Sequence, residues 1–81
     1  MKEPLGAKVI TKDHRILVGD IVDPAAPGLL TLERCYLVAR GGWYYKKKRS
    51  TPLQNVLHIV HGEFAGGTSG WFDADGRPVI D

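Results

Sequence analysis

The first half of the chain alternates apolar and polar positions, and the spacing turns helical only after Thr51. Ala7–Thr11 (AKVIT) is short, β-branched and bounded by turn formers, which predicts a strand. Lys12-Asp13-His14 makes a tight polar turn, and Arg15–Asp23 (RILVGDIVD) reads as a second strand. Both its faces are apolar, with Ile16 and Val18 on one and Leu17 and Ile21 on the other. Gly19 in its middle predicts a bend or bulge. Two prolines and a glycine within Asp23–Gly28 forbid regular structure there. Leu29–Arg40 (LLTLERCYLVAR) alternates at Leu30 and Leu32 and then becomes apolar on both faces. A strand fits this best, although a helix ending at Gly41 fits too. Gly41-Gly42 supplies a turn, and Trp43–Lys47 the partner strand of that hairpin.

The spacing then predicts a helix over about residues 52–61. Thr51 stands as N-cap, Pro52 at the first helical position and Gln54 two further on, the residues of a capping box. Leu53, Val56, Leu57 and Val60 fall at i, i+3, i+4 and i+7, and Gly62 can close the end. Gly66–Gly70 reads as a flexible loop. Trp71–Ile80 reads as a terminal hairpin with its turn at Asp75-Gly76 and an edge strand at Pro78. The fold expected is α+β: a small, strongly bent antiparallel sheet or open β-barrel with one short helix and a C-terminal hairpin, in a single domain spanning 1–81.

Composition changes this picture in two ways. A chain of 81 residues buries only about 60% of its unfolded surface, so a homo-oligomer is expected as a remedy for a small core. The net charge of +2 is too mild to argue for nucleic acid, so any such argument rests on the run Lys46–Arg49. Cys35 is the single cysteine, which excludes an intrachain disulfide and fits a reducing compartment. No apolar leader and no run near the roughly 20 residues that span a bilayer is present, so the expected location is cytoplasmic, without a membrane partner.

The candidate site is Trp43, Tyr45, Lys46, Lys47, Lys48 and Arg49. Aromatic faces beside a basic run suit a surface that grips an anion, and stacking is worth about 1–3 kcal/mol per base. The competing reading packs the aromatics inward and uses the lysines to keep an edge strand soluble. Strand alternation places Trp43 and Tyr45 on one face, and Tyr44 on the other with Lys46. His58 and His61 would share a helix face, but no cysteine pair or HExxH motif accompanies them, so neither a metal nor a cofactor is expected. Asp73, Asp75 and Gly76 echo the start of a calcium loop that lacks its closing ligands, and a turn is the better reading. Cys35 with His58 or His61 is the single nucleophile–base combination, and Cys35 sits in an apolar run. No catalytic residue is expected, and the chain reads as a non-enzymatic binding module.

The segment VITKDHRILVGDIVD followed by LLTLERCYLV resembles the opening of small open β-barrels of the Sm-like and SH3-like kind. There a short strand turns tightly into a long strand bent at a glycine. Thr11, His14 and Arg15 are similar to the Thr-x-His-Arg start of the second strand in small bacteriophage and prophage proteins. The resemblance covers about residues 7–62 and implies a phage or mobile-element accessory protein, acting in the host cell cytoplasm if phage-encoded. It assigns no site residue. The expected partner is nucleic acid or a nucleotide. The alternative is a protein-interaction inhibitor, such as a counter-defence factor against a bacterial immune complex.

Overall fold

A computed structural model describes residues 4–65 together with Trp71, Phe72, Asp75 and Arg77. Six strands form one sheet among these residues: β1 (Leu5–Thr11), β2 (Ile16–Val22), β3 (Leu29–Ala39), β4 (Gly42–Pro52), β5 (Val56–Phe64) and β6 (Trp71–Phe72). Their order is β5-β1-β2-β3-β4-β6, antiparallel except for the parallel pair β4/β6. The sheet is mixed and not closed. The four strands predicted up to Lys47 are present, and Gly41 turns the β3–β4 hairpin with a φ of 95° that glycine adopts freely. The Gly66–Gly70 loop and most of the terminal hairpin lie outside the described residues.

The α+β expectation is overturned, because the helix over 52–61 does not form. Leu53–Asn55 make one 3-10 turn and Val56–Phe64 run on as a strand paired with β1. Thr51 belongs to β4 opposite Leu30, and no side chain caps the turn. The backbone groups go elsewhere: Leu53 donates to the Gly28 carbonyl at 2.9 Å, and the Asn55 carbonyl accepts from Lys12 at 2.8 Å. Val56, Ile59 and Val60 are β-branched and stiff in a helix. As a strand they cover an edge of β1 that would otherwise stand unpaired. Chain length then forces curvature. Pro52 pairs with Leu29 on β3 and Val56 pairs with Thr11 on β1. Four residues reach at most about 14 Å, so the sheet must curl until those strands approach.

Neighbouring side chains divide between the two faces, as a period of two requires. Val9, Leu17, Leu30, Leu32 and Cys35 form one buried cluster, with Leu37 and Val56 against it. Leu5, Val18 and Tyr36 form the other, under Ile16, Val38, Trp43, Tyr45, Phe64 and Trp71. Ile16 and Val18 share one cluster and Leu17 enters the other, as the alternation predicts; Ile21 is exposed instead. The bend or bulge expected at Gly19 lies across from it instead: the β2–β3 register shifts between Val18 and Asp20, with the extra residue on β3 beside Arg34 and Cys35.

Arg34 clamps the start of the sheet. Its Nε donates to Asp20 at 2.5 Å and its Nη2 to the Pro4 carbonyl at 3.3 Å, while Asp20 also accepts from the Gly6 amide at 3.0 Å. The Arg34 hydrogen bond, helped by Gly6, holds the Asp20 carboxyl below its ordinary 3.8. A lowered folded-state pKa contributes stability that is present above the unfolded value and is lost as pH falls below it. Asp20→Asn therefore lowers the melting temperature at neutral pH and flattens its fall below pH ~4. At this exposure the effect is no more than about 1 kcal/mol. Melts of both chains from pH 7 to 2.5 check it, and parallel curves would refute it.

Candidate anion-binding surface on the fourth strand

β4 carries Trp43, Tyr45, Lys46, Lys47, Lys48 and Arg49. The ladder to β3 is irregular under the cations: its register shifts twice, on either side of the pair Cys35↔Lys47. Arg34 and Lys47 take φ values of 48° and 60°, the left-handed region that such residues rarely enter. These kinks divide the basic run. Lys46 and Arg49 line one cavity, and Lys47 and Lys48 line another with Tyr45.

The first cavity has a volume of about 160 Å³. Leu17 and Leu37, paired across β2 and β3, lie in its wall. Arg15, Lys46 and Arg49 contribute cations, and Thr11, Ser50, Thr51 and Asn55 contribute hydroxyls and an amide. Asp13 is the one carboxylate among these lining residues, and its oxygens are already engaged. The Thr11 hydroxyl donates to it, the Asn55 amide reaches it at 3.5 Å, and Arg15 Nε lies 3.5 Å away. The Thr11 hydrogen bond is the largest cause holding Asp13 below its ordinary value, so it stays ionised at neutral pH. Asp13 thus ties Arg15 to the turn between β1 and β2.

The second depression is lined by Glu33, Arg34, Tyr45, Lys47 and Lys48. Arg34 is committed to Asp20, and Lys48 Nζ approaches Glu33 at 3.9 Å. The aromatics build one side of the molecule. Tyr36 lies between Tyr45 at 5.1 Å and Trp71 at 4.4 Å, and Trp43 meets Trp71 edge-on at 4.8 Å. Tyr44 stacks on Phe72 at 4.7 Å on the opposite face. Trp43 and Tyr45 do share a face, but both are half-buried against the cluster that holds Tyr36. Tyr45 is the aromatic that also borders the cations.

The remaining candidates do not converge. His58 and His61, three apart on a strand, fall on opposite faces, opposite Ile10 and Ala7. Among the described residues no group of three His, Cys, Asp or Glu could hold a metal ion. Cys35 is fully buried on β3, and burial pushes its thiol up to about 11, so it is a protonated core residue at neutral pH. Asp73 and Gly76 of the proposed turn lie outside the described residues. No helix is long and apolar enough to cross a membrane among the described residues.

Sequence reasoning missed Arg15, Thr11 and Asn55 as neighbours of Lys46 and Arg49. Thr11 and Arg15 stand at the β1–β2 turn, but nothing local says that β4 passes beside it. Comparison with protein-family models, with curated proteins and with solved structures gave no match.

Proposed function

We propose that this chain is a small non-enzymatic binding module that grips an anionic partner, nucleic acid or a nucleotide, along β4. The observation that carries the reading is the division of the basic run. Lys46 and Arg49, joined by Arg15, stand on one cavity, while Lys47 and Lys48 flank Tyr45 in the other. Lys46 and Arg49 open on the face of Leu17 and Leu37, and Lys47 and Lys48 on the face of Tyr45, so a strand wrapping over the β4 edge would meet cations on both faces and could rest one base on the open part of Tyr45. Trp43 shares the face of Tyr45 and packs against Trp71.

Each phosphate neutralised by a cation contributes a salt slope of about −0.7 for single strands, so four contacts give about −2.8. Between 50 and 200 mM salt, affinity for an oligothymidylate should then fall about 50-fold. Replacing Lys46, Lys47, Lys48 and Arg49 together by Ser should remove both the binding and its slope. Fluorescence anisotropy at several salt concentrations measures this. Unchanged binding in the fourfold variant would end the reading. A salt-insensitive activity lost on truncating Tyr45 would favour a protein partner instead.

A homo-oligomer belongs to the same reading. β5 is an edge strand on which Leu57, Ile59 and Val60 are exposed, and this supports a second copy pairing there. Native mass spectrometry should show a dimer. A bare monomer at working concentration would remove the oligomer and leave the anion reading standing.

A further inference from the structure

We propose that the cavity between the β1–β2 turn and β4 seats a single terminal phosphate group, held by Arg15, Lys46 and Arg49. The inference rests on the anionic-partner reading and narrows it to one chemical group. Its first ground is charge. Three cations against the one carboxylate, Asp13, leave the lining at +2. A phosphate monoester carries about −1.5 to −2 at neutral pH, whereas an internal diester carries a single charge. The second ground is size. A volume of 160 Å³ falls below the roughly 300–1,000 Å³ of pockets that enclose whole small molecules. A phosphate fits inside, whereas a whole nucleotide does not.

The third ground is the chemistry of the wall. Arg15 and Arg49 bring planar guanidinium forks matched to two phosphate oxygens, and Lys46, half-buried, adds a point charge. Leu17 and Leu37 make part of the wall apolar, behind the exposed Arg15 and Arg49. Thr51 also lines the cavity and can offer a hydroxyl to a third oxygen. Asp13 is a positioning residue: it binds Arg15, the Thr11 hydroxyl and the Asn55 amide, and so orients the fork without touching the anion.

The same group occurs at the end of a nucleic-acid strand and on a free nucleotide, and the test separates these sources. The full chain, labelled with ¹⁵N, is titrated at constant ionic strength with inorganic phosphate and with thymidine 5′-monophosphate. Two octathymidylates follow, one with a 5′-phosphate and one with a 5′-hydroxyl. Phosphate should move the amides of Arg15, Arg49 and Thr51. The 5′-phosphorylated strand should bind about tenfold more tightly than the 5′-hydroxyl strand, the effect of one charge-assisted contact. Arg49→Gln and Arg15→Gln should each abolish that difference, whereas Arg40→Gln, a charge change at the β3–β4 turn, should keep it. Retained amide dispersion shows that each variant is folded.

Equal affinity for the two strands overturns the phosphate seat and leaves β4 as a strand-binding surface. Phosphate shifts that survive Arg49→Gln overturn it as diffuse ion binding. Saturation by thymidine 5′-monophosphate, lost in Arg49→Gln, without strand binding upholds the seat and makes a free nucleotide its source. No response to any of the four ligands overturns both the seat and the reading beneath it.

Discussion

Gly19→Val leaves the chain largely unfolded at room temperature. A Cβ at Gly19 would lie 2.8 Å from the Glu33 carbonyl oxygen and 3.1 Å from the Cys35 Cα. Both are backbone atoms, so no side-chain rotation relieves the clash. They belong to the bulge that shifts the register of β3 against both neighbours. Gly19→Ala alone forces that bulge outward, and overpacking of this kind costs about 1–3 kcal/mol. Valine adds two methyl groups to the same gap. An 81-residue domain has only about 4–12 kcal/mol to lose. The damage also spreads, because Arg34 in that bulge clamps Asp20 and Pro4. Circular dichroism melts check the series. Alanine should lower the melting temperature by about 4–8 °C per kcal/mol, and valine should abolish the transition. A valine variant melting within a few degrees of the parent would show that β2 and β3 can separate cheaply.

Tyr36→Ala is the second large loss, of about 3–5 kcal/mol by comparison with other buried aromatics. Tyr36 is 6% exposed and holds the centre of the second cluster. Its ring meets Tyr45 and Trp71, and Trp43 leans on the same Trp71. Removing it opens a cavity beside Tyr45 and Trp71, and Trp43 loses support through Trp71. It also loosens β6, which consists of two residues, Trp71 and Phe72. Chemical denaturation should show the loss, accompanied by a weaker near-ultraviolet dichroism signal. A stability change below about 1 kcal/mol would mean that the cluster rearranges freely. The result also governs how binding data on Trp43 are read. Trp43→Ala removes support from this cluster, so lost binding counts as lost stacking only if the melting temperature holds.

Most of the sheet was legible because β1 to β4 pair with their neighbours in sequence. Each hairpin announces itself through alternation and a turn: Lys12–His14, Asp23–Gly28 and Gly41-Gly42. Gly19 flagged an irregularity, because a glycine inside a strand has few reasons to be there, but the extra residue lies across from it on β3. The Thr51–Gly62 segment was not legible. Its apolar residues satisfy a helical spacing and a strand equally well, and its capping residues were consistent with a helix start. The decision came from β1, a distant segment with an edge to pair. The basic run was visible from composition, but its division was not, since it depends on the left-handed turns at Arg34 and Lys47.

By itself the sequence determined the strands β1, β2 and β4, favoured a strand over a helix for residues 29–40, and pointed to a buried Cys35 and a β4 that joins aromatics to cations. Periodicity and glycine chemistry are local, so they can be read without a neighbour. Only the tertiary structure decided that residues 56–64 pair with β1, that His58 and His61 part company, and that Arg15 joins Lys46 and Arg49. Those outcomes depend on which strands meet after the sheet curls, and that is set by packing between segments far apart in the chain.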